Sequence, residues 1–151
     1  MSGRVLQWLK AMALTHVAMR IANPARPRRS VRVKFLVDSG AVYSVVPERT
    51  LEGLGVKPHS RRTFVLADGS EVTRSIGDAV FRLDGRQGAS PVIFGKLGDS
   101  VLLGAVTLEA LGVLLDPLRR ELRPLPMVLA LGTTPGAPAP TSRRRSRRKG
   151  P

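Results

Sequence analysis

The chain of 151 residues has no cysteine. That excludes a disulfide framework, a thiolate metal site and a cysteine nucleophile. Its two histidines, His16 and His59, are too few for a histidine-rich metal site. Aromatic residues are scarce, at Trp8, Tyr43 and four phenylalanines, so valine and leucine must carry the core. No stretch approaches the ~20 apolar residues of a membrane span. Gln7 and Lys10 interrupt the N-terminal "VLQWLKAMAL", which is too broken for a signal-peptide core. We therefore expect a cytoplasmic protein.

Acidic residues are outnumbered, 11 against 25 lysines and arginines, for a net charge of +14. The excess is uneven. Arg143, Arg144, Arg145, Arg147, Arg148 and Lys149 carry +6, and Arg4 and Lys10 two more, which leaves +6 for Ala11–Ser142. Weak contact with nucleic acid or another polyanion is thus expected through the Arg143–Lys149 tail. The length suits one domain with tails. Fifteen glycines and twelve prolines favour short elements joined by tight turns over long helices.

Val5, Leu6, Leu9 and Met12 follow a helical spacing, so residues 1–12 read as an N-terminal extension, and either Met1 or Met12 suits as the start. Residues 14–22 alternate as a half-buried strand, and 23–27, "NPARP", form a turn. Residues 31–37, "VRVKFLV", run as a strand into the core. Pro47 opens a short helix that stops near 53–55. Strands are expected at 62–67, 71–77, 79–85, 90–95 and 100–104. A helix follows at 105–112, and closing strands at 113–116 and 121–126. From Gly132 the Pro/Gly-rich and then Arg-rich sequence cannot build a core. The expected division is 1–12, a domain over 13–128, and a disordered tail over 129–151.

One segment, "FLVDSGAVYSVVP" (35–47), ends an apolar strand on Asp38 and turns at once through Ser39 and Gly40. About thirty residues later "LADGSEV" places Asp68-Gly69 at a hairpin tip, since Asp-Gly is a strong hairpin signal. Farther on, "VLLGAVTLEALGVLLD" leads an apolar strand into a short helix. In this order the three segments resemble the retropepsin-like aspartic proteases, in particular the small single-domain enzymes of prokaryotes. The resemblance covers Leu14 to Pro126.

It implies a mainly β fold. This would be a closed or partly open acid-protease-type barrel of short strands with one or two short helices, a single lobe that pairs as a homodimer. It implies an endopeptidase in which Asp38 is catalytic and Ser39, Gly40 and Ala41 support the active-site turn. Gly40 would allow the backbone conformation and close approach that a side chain would block. The Ser39 hydroxyl would help tie the two turns together across the dimer. Ala67, Asp68, Gly69 and Ser70 would form a flap over a peptide substrate. No metal and no organic cofactor are implied.

The chemistry accounts for the residue types. Two carboxylates sharing one proton can activate a water and protonate the carbonyl, because like charges so close cannot both ionise. The chain has one Asp-Ser-Gly and no second such motif, since Asp68 is followed by Gly69 and Asp99-Ser100 by Val101. A C2 homodimer would bring two copies of Asp38 to its axis. Taken alone, Asp38 is an ordinary turn residue. Asp78 and Asp116 read as turn residues, and His16 and His59 have no partner visible in sequence. No conspicuous aromatic is seen in the flap. The rival reading is a non-catalytic dimeric peptide-binding or adaptor module with a basic tail.

Overall fold

A computed structural model describes residues 14–126. The expected N-terminal helix and the Arg-rich tail lie outside the described residues. Within them the order is β1 (His16–Asn23), β2 (Arg26–Val37), β3 (Ser44–Pro47), α1 (Glu48–Gly53), β4 (Ser60–Val65), β5 (Glu71–Leu83), β6 (Arg86–Gly95), β7 (Leu102–Leu103), α2 (Ala105–Leu111), β8 (Val113–Asp116) and β9 (Glu121–Pro124).

Six strands close a ring. The order β1-β2-β7-β3-β6-β5 returns to β1 through the pairs Arg20↔Arg82, Ile21↔Phe81 and Ala22↔Val80. β4 pairs only with β5 and extends from the ring as a hairpin arm. β8 and β9 form a separate hairpin. The fold is the mainly β barrel that the sequence implies.

Alternation builds its interior. Along β1, Met19 and Ile21 are buried while Arg20 faces solvent. Phe35 and Phe81 meet inside the ring with centroids 5.9 Å apart, and Val46, Val92 and Leu103 complete the centre with almost no exposure. Leu51 and Leu54 from the α1 end, and Leu108 and Leu111 from α2, close it. Each such side chain contributes roughly 1.5–3 kcal/mol by leaving water.

Four elements differ from the expectation. β2 begins at Arg26 rather than at 31, so only Pro24 and Ala25 of the turn expected at 23–27 lie between strands. Residues 71–83 form one continuous strand rather than two, so Asp78 lies mid-strand and not in a turn. Gly77 marks close packing there: a Cβ would come within 2.9 Å of the Phe94 ring and 3.1 Å of the Lys57 carbonyl oxygen. Ser44–Pro47 is a strand the sequence reading missed, with Ser44 and Val46 buried. The strand expected at 100–104 is confined to Leu102–Leu103, because β7 is held by only two short ladders, to β2 and to β3.

Candidate active site

Asp38 stands where β2 leaves the ring. The strand end is held from both sides: the Val37 N–H donates to the Thr15 carbonyl at 2.8 Å, and the Asp38 N–H to that of Leu103 at 3.0 Å. The chain then turns. The Ala41 N–H donates to the Asp38 carbonyl at 3.1 Å, and the Gly40 N–H to Asp38 Oδ1 at 3.0 Å. The carboxylate is thus aimed by its own turn, is exposed, and has no ion-pair partner among the described residues.

Gly40 does not adopt left-handed backbone. Of the two reasons expected for this glycine, only close approach applies: a Cβ would sit 3.3 Å from Asp38 Oδ1. Ser39 is exposed and makes no side-chain hydrogen bond among the described residues. Ala41 is half-buried, and its carbonyl accepts the Ala105 N–H at 2.8 Å, while that of Val42 accepts the Val106 N–H at 3.0 Å. The first turn of α2 therefore holds the loop that follows Asp38.

A chain of buried hydroxyls lies under that loop. Ser44 Oγ accepts the Gly104 N–H at 2.9 Å and lies 2.5 Å from Thr107 Oγ1, which in turn is 2.7 Å from Ser90 Oγ. Three separated segments are joined this way. Gly104 makes the approach possible, since a Cβ there would stand 2.6 Å from the Tyr43 carbonyl carbon. The sequence reading missed Thr107 and Ser90. The available signal was a threonine at an apolar-patterned position of "AVTLEALG".

The β4–β5 hairpin forms the arm above. At its tip Gly69 has φ 82°, and Asp68 accepts from the Ser70 N–H at 2.8 Å and the Ser70 hydroxyl at 2.5 Å. The hydroxyl bond, with the N–H bond second, holds the Asp68 carboxyl below its usual range. Ala67, Asp68, Gly69 and Ser70 are all exposed. They lie beyond a groove of about 530 Å³ whose lining includes Val42, Tyr43, Phe64, Leu66, Ile93 and Leu102. The groove begins beside Gly40, next to the Asp38 turn.

The hairpin does carry an aromatic residue. Phe64 meets Tyr43 edge to face with centroids 6.4 Å apart. It lies on the arm, two residues before Leu66, and not among the tip residues Ala67–Ser70. Arg62 Nη1 donates to the Tyr43 hydroxyl at 2.6 Å, and its guanidinium carbon sits 5.6 Å from the ring centroid. Opposite, Arg74 clasps Asp99 through Nε at 2.7 Å and Nη2 at 2.9 Å, and the Lys96 N–H also donates to Asp99 at 2.7 Å. The Arg74 hydrogen bond, ahead of the other causes, keeps the Asp99 carboxyl below its ordinary range.

The family model described as aspartyl protease matches residues 24–105, which span the Asp38 turn, the hairpin arm and Gly104. The chain belongs to the aspartyl protease family. The solved structures similar to this chain include the solution structure of the simian foamy virus (mac) protease, 22% identical over 62% of this chain and 92% of that one, with a TM-score of 0.42. Another is a foamy viral protease-reverse transcriptase in complex with an RNA/DNA hybrid. It is 14% identical over 78% of this chain, with a TM-score of 0.48, and the match spans 13% of that chain. No curated protein matches the chain by sequence.

The remaining expected residues are also placed. His59 has a partner after all, with Nε2 3.3 Å from Asp78 Oδ1, a pair that only the β4–β5 ladder brings together. Asp116 is a turn residue, accepting the Leu118 and Arg119 N–H groups at 3.1 Å each. Among the described residues no group of three or more histidines, aspartates or glutamates gathers as metal ligands would. Among the same residues no helix is long and apolar enough to cross a membrane.

Proposed function

We propose that the chain is an aspartic endopeptidase whose active site is completed by a second copy of itself. Asp38 is the catalytic carboxylate, and Asp38 of each copy stands at the axis of a homodimer. The observation that carries this reading is the count of available acids. The Asp38 turn presents one exposed, unpaired carboxylate, and Asp99, at the same groove, is engaged by Arg74 through two hydrogen bonds. One chain therefore supplies half of a dyad.

In the dimer, one Asp38 takes a proton from the attacking water while the other donates its proton to the carbonyl oxygen, and the shared proton resets the pair. The resulting tetrahedral carbon collapses by expelling the amine, which leaves with a proton. The Ser39 hydroxyl, which makes no hydrogen bond among the described residues, ties one turn to its counterpart across the dimer. The peptide lies extended in the apolar groove between the Asp38 loop and the hairpin arm, with Val42, Phe64 and Leu66 receiving apolar side chains. The domain extends over 13–128, and the tip residues Ala67–Ser70 act as the flap.

Cleavage of a mixed peptide library across about pH 3.5–7.5 tests the reading, with Asp38→Asn run beside the wild type. Cleavage by the wild type and none by Asp38→Asn is expected. Equal behaviour of the two proteins contradicts it.

A further inference from the structure

We propose that a row of arginines on the outer face of the barrel binds the phosphate backbone of nucleic acid. Arg20 on β1 pairs in register with Arg32 on β2 and with Arg82 on β5. Directly paired residues share a sheet face, and neighbouring strands lie ~4.8 Å apart, so the three arginines form a row across about 10 Å of sheet. Like charges directly opposite each other are unfavourable.

Among the described residues no acid forms an ion pair that would offset this repulsion. Arg20 donates to the Ser30 hydroxyl at 2.8 Å and the Ser30 carbonyl at 3.3 Å, and Arg82 to Gln87 Oε1 at 2.9 Å. All these partners are neutral. Among the described residues none of the six ion pairs involves Arg20, Arg32 or Arg82. The contrast with Arg74, which the fold does give an acid, is direct.

The row borders an open hollow of about 470 Å³ whose lining holds one carboxylate, Asp84, and no aromatic residue. Arg86 borders it too but is committed to the Leu111 and Gly112 carbonyls at the end of α2. Along β2, Lys34 lies two residues from Arg32 on the same face, and Arg28 and Arg29 are exposed beyond Ser30. Arg28 to Lys34 spans about 20 Å of strand. A basic track of that extent exceeds one phosphate group and suits successive phosphates on a chain. Guanidinium groups remain charged and bind phosphate oxygens in pairs. With no aromatic to stack on bases, recognition is independent of sequence and sensitive to salt. Arg32 lies six residues up β2 from Asp38, about 20 Å away, so a bound strand leaves the peptide groove open.

The test uses the full chain and a fluorescent single-stranded DNA of about 20 nucleotides, with anisotropy read from roughly 50 to 300 mM salt. The triple variant Arg20→Gln/Arg32→Gln/Arg82→Gln is compared with wild type and with Arg20→Lys/Arg32→Lys/Arg82→Lys. Each is made with the native tail and with Arg143, Arg144, Arg145, Arg147, Arg148 and Lys149 changed to Gln. Three lost phosphate contacts should lower the salt slope by about 2 and the affinity near 100 mM salt by tenfold to about a hundredfold. The lysine triple should stay near wild type, and the loss should recur in the substituted-tail background.

If the glutamine triple fails to fold, Arg32→Gln alone carries the test, since the Arg32 side chain makes no hydrogen bond among the described residues; its slope should drop by about 0.7. An unchanged slope, or no DNA binding once the tail is substituted, overturns the proposal. So does binding to vesicles with anionic lipid, lost in the glutamine triple, while DNA does not bind.

Discussion

Arg62 and Arg74 stand directly opposite each other in the β4–β5 pairing, yet each reaches a different loop. Arg62 binds Tyr43, on the loop after Asp38, and Arg74 clasps Asp99, on the loop before β7. The hairpin arm is thereby tied at one level to both segments that shape the groove, and two like charges are drawn apart. The arm's position along the groove is held by these two contacts as well as by its own ladder.

Breaking the Arg74–Asp99 contact should therefore act on substrate binding first. Arg74→Ala leaves a partly buried carboxylate without its two charged donors, a loss of about 1.5–3 kcal/mol for hydrogen bonds to a charged group. We expect KM to rise on the order of tenfold with a smaller change in kcat, read from steady-state cleavage. Arg62→Lys should keep the charge but weaken the planar contact over Tyr43, giving a milder effect in the same direction.

The same pair sets a pH dependence of stability. Asp99 has a lowered carboxyl in the folded chain, so its contribution is present above the ordinary carboxylate value of ~3.9 and is lost as pH falls through the lowered value. Wild type should exceed Asp99→Asn in denaturant midpoint at near-neutral pH, and the gap should shrink below about pH 4. A gap that widens in acid would contradict the assignment.

Thr107 joins Ser44 and Ser90 in the dark interior beneath the Asp38 loop. Thr107→Val keeps the volume and removes the hydroxyl both serines use. Two buried groups left without this partner should cost about 1–3 kcal/mol, measured by chemical unfolding. Because Ser44 also accepts the Gly104 N–H, kcat should fall with stability and KM should change little.

Two glycines should respond differently to alanine. At Gly40 the added methyl meets only the Asp38 carboxylate, at 3.3 Å, so the fold should persist while kcat drops tenfold or more on the order of a 1.4 kcal/mol rise in barrier. At Gly104 the methyl would meet Tyr43 backbone at 2.6 Å, which cannot move aside. Gly104→Ala should lower the unfolding midpoint strongly, with a cost of about 1–3 kcal/mol or more. Thermal unfolding of both variants separates the cases.

What was legible in the sequence is what short segments carry. The apolar run into Asp38, the Asp-Gly tip and the "LLG" before α2 each announce themselves locally, and together they indicated the fold and the turn that bears the acid. What stayed hidden depends on neighbours far along the chain. β3 is four residues long and exists because β6 and β7 flank it. Gly77-Asp78 reads as a break, but the ladder to β6 keeps the strand going. Thr107 and Ser90 look unremarkable until folding sets them beside Ser44. Arg62, Arg74 and the row Arg32–Arg20–Arg82 are ordinary basic residues in sequence, and only strand register gives them partners or opposes them.

If each chain supplies one catalytic carboxylate, the most direct measurement mixes wild type with Asp38→Asn. With wild-type protein held constant and the variant added in increasing amounts, freely exchanging subunits should form mixed dimers that hold a single Asp38. Peptide cleavage should fall to about one half at equal amounts and continue toward zero in excess variant, as random pairing into a C2 dimer requires. Cleavage that stays constant while Asp38→Asn accumulates would show that one chain holds a complete active site, and would contradict the dyad.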